Sequence, residues 1–267
     1  MKIVHFSDPH AGGGAEDWLA YFDKRWVGVF NYHFRRRFKH DLTKLEKAVG
    51  YILDTRPDVA VCTGDLTSAG QPGEFAKVLE VLKPLRDSDI PFIYMPGNHD
   101  CYVRRPKCVK AVNDAVEYLS KGKRRFCDYP AFEDIGNIRF LLLNTSAPSN
   151  LLCSWGFVKK DDVNSIRAFC RDKKTDQVNI LLSHYPMYED HPVLRMRHRL
   201  FGQQELVKMI GDGTIDLSLC GHVHKPYLRR DSSGRPLEEC AGSVTRNGSM
   251  VEITLENTTF DFRTIGL

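Results

Sequence analysis

Residues 96–100 read Pro-Gly-Asn-His-Asp, and they directly follow the apolar run 91–95. A short run of this kind, bounded by turn residues, predicts a buried strand. Four further apolar runs end in the same way, in a cluster of polar residues: 2–6, 58–62, 178–182 and 216–219. Sites in α/β sheets form in the crevice beyond the carboxyl ends of strands. We therefore expect the five polar clusters to converge on one cleft.

The rest of the chain indicates an α/β fold. A sixth strand-like run covers 138–143, and helical spacing appears at 42–53, 73–85, 107–119, 161–170 and 203–210. After Gly221 the pattern changes to strand, turn, strand, with runs at 227–230, 237–241, 251–255 and 260–263. This order predicts two packed sheets flanked by helices, with antiparallel strands in the C-terminal third. The chain shows no internal repeat and no low-complexity linker, so we expect residues 1–267 to form one domain.

Composition excludes several classes of protein. The chain has 267 residues, of which 42% are hydrophobic and 27% charged, and its net charge is +4. These values are unlike those of a disordered chain, a fibrous protein or a histone-like polycation. The eight cysteines form no C-x-x-C pair, which argues against a zinc knuckle or a redox motif. No apolar run is long enough to span a membrane, and the N-terminus does not resemble a signal peptide, so we expect a cytoplasmic protein with reduced thiols.

The side chains in the five clusters are typical of metal ligands and proton carriers. They comprise three carboxylates, one amide and five imidazoles: Asp8, Asp65, Asp100, Asn98, His10, His99, His184, His222 and His224. Mixed carboxylate and imidazole sets suit divalent ions such as Mn²⁺, Fe²⁺ and Zn²⁺. Two ions about 3.5–4 Å apart need a carboxylate that bridges them. The residues thus predict a dinuclear metal site, and the glycines before Asp65, Asn98 and His222 would let the backbone turn sharply there.

The order of these motifs resembles that of the calcineurin-like metallophosphoesterases. The matching blocks are Asp8-x-His10, Gly64-Asp65, Gly97-Asn98-His99-Asp100, His184 and Gly221-His222-x-His224, which span residues 8–224. Five ordered blocks make a chance match remote. The resemblance implies a four-layer αββα sandwich, in which two mixed sheets are flanked by helices. It also implies a phosphohydrolase that uses two metal ions.

Carried over position by position, the resemblance implies a role for each residue. Asp8, His10 and His224 would bind one metal ion. Asn98, His184 and His222 would bind the second, and Asp65 would bridge both. His99 would contact the phosphoryl group or protonate the leaving oxygen, with Asp100 orienting it. A metal-bridging hydroxide would then attack phosphorus in line. We expect two divalent ions, with Mn²⁺ favoured over Fe²⁺ or Zn²⁺.

A basic and aromatic insertion at about 15–40 departs from the family pattern. Trp18, Phe22, Trp26, Phe30 and Phe34 recur every four residues, and 24–39 holds six basic residues and no acidic one. A helix of this kind suits a membrane interface or a lid over an acyl chain. Two alternatives remain open: ordinary packing onto the α/β body with solvated arginines, and contact with single-stranded nucleic acid. Further basic residues follow two of the motifs, namely Arg104, Arg105, Lys107, Lys110, Arg195, Arg197 and Arg199.

Three functions follow from these features. The first is hydrolysis of a phosphodiester or pyrophosphate in an amphipathic, membrane-associated substrate. UDP-2,3-diacylglucosamine is an example, because its hydrolases share these metal motifs and use an apolar lid. Such an enzyme would lie at the inner face of the membrane, in contact with anionic lipid.

The second function is cyclic-nucleotide phosphodiesterase activity. His184-Tyr185-Pro186 weakens this interpretation, because many cyclic-nucleotide members have a second histidine there. The third is a membrane- or nucleic-acid-binding protein with a vestigial site, against which the intact ligand set argues. The five histidines outside the motifs are expected at the surface or in the core: His5, His33, His40, His191 and His198.

Overall fold

The computed structural model describes residues 1–148, 153–189, 196 and 198–267. Of the residues singled out by sequence, His191, Arg195 and Arg197 lie outside this range. Two mixed β-sheets pack face to face, and helices cover their outer faces. The four-layer αββα arrangement expected from the resemblance is confirmed.

The first sheet carries the N-terminal part of the site. Its parallel strands are β1 (Lys2–Phe6), β2 (Val59–Cys62) and β3 (Phe92–Tyr94). The C-terminal strands β12 (Ser249–Glu256) and β13 (Thr259–Gly266) complete it, in the order β13-β12-β1-β2-β3. Both of these strands are antiparallel to their neighbours, as the sequence predicted for this end of the chain.

The second sheet carries the remaining motifs. Its strands are β4 (Ala131–Ile135), β5 (Ile138–Leu142), β7 (Val178–Leu182), β9 (Leu217–Cys220), β10 (Tyr227–Arg230) and β11 (Pro236–Cys240), in the order β10-β11-β9-β7-β5-β4. The antiparallel pairing expected for the C-terminal third holds for β10 with β11. On its other side β11 pairs with β9 in parallel, with Glu238 opposite Ser218, so that β10 lies at the sheet edge. Two short strands, β6 (Gly156–Phe157) and β8 (Leu200–Phe201), pair separately.

Helices cover both outer faces of the sandwich. The helices α2 (Leu42–Thr55), α3 (Pro72–Asp87) and α4 (Pro106–Leu119) pack on the first sheet. The helices α5 (Lys160–Cys170) and α6 (Gln204–Gly211) pack on the second. A short helix, α7 (Val244–Asn247), precedes β12, and a 3₁₀ turn covers Phe126–Asp128.

The apolar runs of the sequence are continuous because both faces of each parallel strand are buried. On β1, Val4 and Phe6 face the helices, whereas Ile3 faces the other sheet. Side chains from β2, β3, β5, β7, β9 and β12 fill the space between the two sheets. The central strands therefore hold their carboxyl ends rigidly, which is where the polar clusters begin.

The insertion forms three short elements and not one helix. These are a 3₁₀ turn at Trp18–Tyr21, the helix α1 (Arg25–Phe34) and a second 3₁₀ turn at Arg36–Phe38. A spacing of four residues drifts by about 40° per step on an α-helix, so the five aromatic residues could not share one helical face. The helical structure is interrupted before Arg25, whose side chain binds the carboxylates of Asp17 and Asp23.

The aromatic side chains of the insertion face solvent. Trp18, Phe22, Phe34 and Phe38 are 70, 77, 66 and 72% exposed, and Tyr21, Trp26 and Phe30 are also exposed. The alternative of ordinary packing onto the α/β body does not hold for these side chains, since the buried residues of α1 are Arg25, Gly28 and Val29. We call these seven aromatic side chains the aromatic surface. Across the described ranges, no helix is long and apolar enough to cross a bilayer.

Candidate metal centre

The polar clusters from both sheets meet at one end of the sandwich. The ends of β1, β2 and β3 supply Asp8, His10, Asp65 and Asn98, and the ends of β7 and β9 supply His184, His222 and His224. Two groups of potential ligand atoms form, each with all atoms within 4.8 Å of one another. The first group is Asp8, His10, Asp65 and His224, and the second is Asp65, His184 and His222.

Asp65 belongs to both groups through one of its oxygens. Its Oδ1 atom accepts a hydrogen bond from the backbone N–H of His99 at 2.7 Å. The other oxygen, Oδ2, lies 3.6 Å from Nε2 of His10 and 3.3 Å from Nε2 of His184. A carboxylate oriented in this way presents an oxygen between the two groups, as a bridging ligand must.

The first group converges on a point that suits a cation. Nε2 of His10 and Nε2 of His224 lie 2.7 Å apart, and Oδ1 of Asp8 lies 3.4 and 3.1 Å from them. The backbone N–H of His222 donates to Oδ2 of Asp8 at 3.0 Å. Among the described residues, the buried Oδ1 atom of Asp8 has no hydrogen-bond partner. Unpartnered buried oxygens are rare, so this atom fits a metal ligand.

The second group is oriented by hydrogen bonds from behind. Nδ1 of His184 donates to the carbonyl of Thr63 at 2.7 Å, which leaves Nε2 with its lone pair facing the site. That Nε2 lies 3.1 Å from Oδ1 of Asn98 and 3.2 Å from Nδ1 of His222. In the first group, Nδ1 of His10 donates in the same way to the carbonyl of Thr67. Ligating histidines are usually fixed by such a bond to a backbone carbonyl.

Backbone strain is concentrated at the predicted ligands. Five of them have positive φ angles: Asp8 (54°), His10 (50°), Asp65 (53°), His222 (69°) and His224 (55°). Non-glycine residues rarely adopt this conformation, and such strain clusters at functional sites. The fold holds these side chains inward at a cost in backbone energy.

Two glycines before ligands allow close approach. A Cβ atom on Gly97 would lie 2.2 Å from Oδ1 of Asp65, and one on Gly221 would lie 2.4 Å from Oδ2 of Asp8. Gly64 alone of the three has a positive φ angle. The expected sharp turn therefore holds for Gly64, whereas Gly97 and Gly221 make room for the carboxylates of other motifs.

Electrostatics keep His10 and His222 neutral and His184 protonated when Asp65 is its charged neighbour. Burial lowers the pKa of His10 well below its ordinary value, with Arg36 adding to the effect. Burial also lowers the pKa of His222, and the neighbouring His184 lowers it further. For His184, burial is outweighed by the carboxylate of Asp65, which raises the pKa to about 9. A metal ion beside Asp65 would stabilise its carboxylate in place of the protonated ring, so His184 could bind the ion in its neutral form.

His99 and Asp100 lie beside the two groups. Nδ1 of His99 donates to the carbonyl of Ser68 at 2.6 Å, and its ring stacks on Tyr102 with centroids 5.0 Å apart. Burial lowers the pKa of His99 well below the ordinary histidine value, and Arg36 lowers it further. The ring of His99 also lies against that of His10, with their centroids 4.9 Å apart. His99 is thus held as a neutral ring at the edge of the metal centre.

Asp100 acts on the backbone and not on the His99 ring. Its carboxylate accepts hydrogen bonds from the N–H groups of Leu66, Thr67 and Gly97 and from the Tyr94 hydroxyl. The expected orientation of His99 by Asp100 is therefore indirect, because Asp100 joins the loops after β2 and β3. Burial raises the pKa of Asp100 to about 6, and Asp65 adds to the rise.

Four residues at the site were missed by sequence reasoning. Nδ1 of His198 lies 2.9 Å from Nε2 of His222, and the ring of His40 lies 5.0 Å from that of His10. Arg36 and Arg246 line the same cavity of about 190 Å³ as Asp65, Asn98 and His99. His198, His40 and Arg246 belong to no motif, and Arg36 comes from a run of three arginines, 35–37. Only the tertiary contacts distinguish them.

His5, expected at the surface or in the core, lies between the sheets behind the site. Its Nδ1 atom is bonded to Glu239, and its Nε2 atom lies 2.8 Å from the Thr63 hydroxyl. The carbonyl of Thr63 in turn accepts a hydrogen bond from His184. This series of buried hydrogen bonds therefore connects Glu239 of the second sheet to a predicted ligand.

Comparison with known proteins gives a consistent result. The model of the calcineurin-like phosphoesterase family matches residues 1–226. A protein of Arcobacter nitrofigilis, named as a probable glycerophosphodiester phosphodiesterase, is 26% identical over 183 residues, which is 65% of this chain and 59% of that protein. A 3′,5′-cyclic-nucleotide phosphodiesterase of Nostoc is 26% identical over 174 residues, 65% of this chain and 58% of that protein. This chain thus matches less than two thirds of the length of either relative.

Among solved structures, a dimetal phosphatase from Danio rerio is similar in fold. The TM-score is 0.66 at 15% sequence identity, and the match covers 100% of this chain and 96% of that one. At this identity the likeness concerns the arrangement of strands and helices. It agrees with the two-sheet sandwich described above.

Proposed function

This chain belongs to the calcineurin-like phosphoesterases, and from that membership and the geometry of its site we propose that it hydrolyses phosphodiesters with two bound divalent ions. The observation that carries the proposal is the position of Asp65, whose Oδ2 atom lies between His10 and His184. We propose Mn²⁺ as the resident ion, with Fe²⁺ and Zn²⁺ as the alternatives that metal analysis would identify.

In this proposal the two groups of ligands divide the work. Asp8, His10 and His224 would hold one ion, and Asn98, His184 and His222 the other, with Asp65 shared. When bound, two such ions lower the pKa of a shared water and neutralise charge on a phosphoryl group. The orienting hydrogen bonds from behind keep the ligands in place without rearrangement, which is the condition for efficient electrostatic catalysis.

His99 and Asp100 complete the proposed machinery. His99 lines the cavity beside Asp65 and Asn98, which supports a place for its ring next to a bound phosphoryl group. Asp100 would act as a positioning residue, because its carboxylate binds the backbone N–H of Leu66, directly after Asp65, and that of Gly97, directly before Asn98. Removal of Asp100 would therefore disturb metal binding before it affected proton transfer.

We propose a lipid-derived phosphodiester as the substrate. The aromatic surface lies on the segment whose second 3₁₀ turn enters the cavity through Arg36. The exposed cations Arg35, Arg37 and Lys39 lie among these aromatic residues, a combination suited to an anionic lipid surface. The name of the Arcobacter relative, a glycerophosphodiester phosphodiesterase, supports a substrate with a polar alcohol on one side of phosphorus.

A cyclic nucleotide is the second candidate substrate. The Nostoc relative supports it by name. Tyr185 occupies the position where many cyclic-nucleotide members have a histidine, and its buried ring packs against His222 at 4.1 Å between centroids. A soluble nucleotide would not use the aromatic surface, so the two candidates differ in their response to micelles.

The experiment is turnover by the full chain loaded with Mn²⁺, with Asp65→Ala as the blank. Bis(p-nitrophenyl) phosphate tests phosphodiester hydrolysis, and p-nitrophenyl phosphate tests monoester hydrolysis. UDP-2,3-diacylglucosamine, which offers a pyrophosphate bond, and a glycerophosphodiester are then presented in mixed micelles and compared with cyclic AMP. We expect diester hydrolysis that requires metal and is faster for the micellar substrates. Hydrolysis of cyclic AMP alone would favour the second candidate, and no metal-dependent hydrolysis of any ester would overturn the proposal.

A further inference from the structure

Arg36 is a basic residue of the insertion and lines the cavity of the metal centre. Its Nη2 atom lies 3.0 Å from Nε2 of His99, and its Nη1 atom lies 3.3 Å from the carbonyl oxygen of Ser68 and 3.4 Å from Nδ1 of His10. The adjacent Arg35 and Arg37 are exposed, whereas Arg36 is partly buried and lines the cavity.

The segment that delivers Arg36 is anchored to the body of the protein. Helix α1 approaches the loop after β2 so closely that a Cβ atom on Gly28 would lie 2.7 Å from Cβ of Ala69. At the first residue of the same helix, the buried Arg25 forms ion pairs with Asp17 and Asp23. Asp23 also forms an ion pair with Arg105, which lies outside the insertion, just before α4. Because these contacts hold α1 in place, the 3₁₀ turn that follows it places Arg36 over the metal centre.

Within the part of the chain that the structure describes, the guanidinium of Arg36 forms no direct ion pair. Among the described residues, no carboxylate lies within 4 Å of it, and its contacts are a carbonyl and two imidazoles. Nδ1 of His99 donates to the Ser68 carbonyl, so Nε2 of His99 accepts the hydrogen bond from Arg36. A poorly solvated charge with no carboxylate in direct contact is unfavourable. Asp65 and Asp8 lie near enough to attract it, but divalent cations bound to those two carboxylates would add repulsion.

We propose that Arg36 binds a phosphoryl oxygen of the substrate and that His99 aims its guanidinium. The inference rests on the proposed function and names a substrate contact that the ligand set alone does not supply. An anionic phosphoryl group in the cavity would provide the missing counter-charge. The planar fork of an arginine matches two oxygens of a phosphate group, which a lysine cannot do. The insertion thereby contributes a substrate-binding residue as well as an exposed surface.

The test is binding of inorganic phosphate to the Mn²⁺-loaded full chain by isothermal titration calorimetry. Arg36→Ala should weaken phosphate binding about tenfold or more, since a charge-assisted hydrogen bond is lost. Arg36→Lys should lie between this variant and the wild type. The matched control is Arg171→Ala, an exposed arginine after α5 that does not line the cavity, and it should change the affinity less than about twofold.

Metal content and kinetics separate this inference from the proposed function. Each variant should retain two equivalents of Mn²⁺ by elemental analysis, and added guanidinium should partly restore phosphate binding to Arg36→Ala. If Arg36→Ala loses metal, Arg36→Lys decides the question. Unchanged phosphate affinity in the Arg36 variants would overturn the inference, as would a metal-loaded wild type that binds no phosphate. A wild type that binds phosphate through Arg36 but hydrolyses no ester would retain the inference and overturn the function.

Discussion

The backbone N–H of His99 donates to Oδ1 of Asp65 at 2.7 Å, and this bond leaves Oδ2 facing both groups of ligands. A single carboxylate oxygen therefore serves two sites. Asp65→Ala should empty both metal positions, although six of the seven predicted ligands remain. Elemental analysis after dialysis against Mn²⁺ would measure the loss.

The control for this experiment is Asp54→Ala, which removes an exposed carboxylate from helix α2. It should retain the metal content of the wild type. Two equivalents of Mn²⁺ in Asp65→Ala would show that the bridging assignment is wrong, and one equivalent would show that Asp65 serves a single ion.

Replacement of His99 should separate metal binding from turnover. Its ring is held by Ser68, Tyr102 and Arg36 and is not one of the predicted ligands. His99→Ala should keep two metal ions and lose about a hundredfold or more in kcat for a phosphodiester. A rate close to that of the wild type would assign His99 to a structural role.

Gly97 should be intolerant of any side chain. A Cβ atom there would lie 2.2 Å from Oδ1 and 2.3 Å from the backbone nitrogen of Asp65, so the bridging carboxylate would have to move. Gly97→Ala should lower the melting temperature and weaken metal binding. In contrast, Gly50→Ala in helix α2 meets no atom within 4 Å and should stabilise the protein by about 0.5–1 kcal/mol. Equal melting temperatures for the two variants would contradict the packing argument.

Glu74 should make stability depend on pH. Burial raises the pKa of its carboxyl from 4.5 to about 7, although hydrogen bonds from Gln71 and Ala69 oppose the rise. A carboxyl with a raised pKa binds more protons in the folded state than in the unfolded state. The free energy of unfolding should therefore decrease as the pH rises from about 4.5 to about 7, by at most about 3.4 kcal/mol from this group.

Urea denaturation at pH 5 and pH 8 would measure this effect. Glu74→Gln, which cannot ionise, should show a smaller difference between the two pH values than the wild type. An equal difference in both proteins would show that Glu74 is ionised at pH 5 in the folded state.

The aromatic surface should bind anionic membranes. Trp18→Ser, Phe22→Ser and Phe38→Ser together remove three of its most exposed side chains. This triple variant should sediment less with vesicles of phosphatidylcholine and phosphatidylglycerol than the wild type does. Val109→Ser, which removes an exposed apolar residue from helix α4, is the control. If the wild type does not bind these vesicles, the membrane proposal fails.

The sequence predicted the central strands and the site well, for a physical reason. Strands such as β1 and β7 are buried on both faces, so each reads as an unbroken apolar run that ends in a polar cluster. The predicted ends of these two strands match the structure residue for residue. Strand β4 was missed because it lies at the sheet edge, is only partly buried and includes Glu133 and Asp134, which interrupt the apolar pattern.

The insertion shows the limit of sequence reasoning. Its composition indicated an exposed aromatic element but not that the element is divided, because the break depends on the ion pairs of Arg25. Nothing in the run Arg35-Arg36-Arg37 marks the middle residue as different from its neighbours. Gly28 of α1 packs closely against Ala69, and the path of the chain after this helix turns Arg36 toward His99.

The division of the ligands between the two sheets has a mechanical consequence. Asp8, Asp65 and Asn98 follow strands of the first sheet, whereas His184 and His222 follow strands of the second. Ions bound by ligands from both sheets would link the sheets and oppose their separation at that end of the sandwich. Metal ions that bind only the folded state raise its stability. Their removal by a chelator should therefore weaken the contact between the two sheets at this end first. Neither half of a chain cut in the loop before β4 would hold a complete set of ligands.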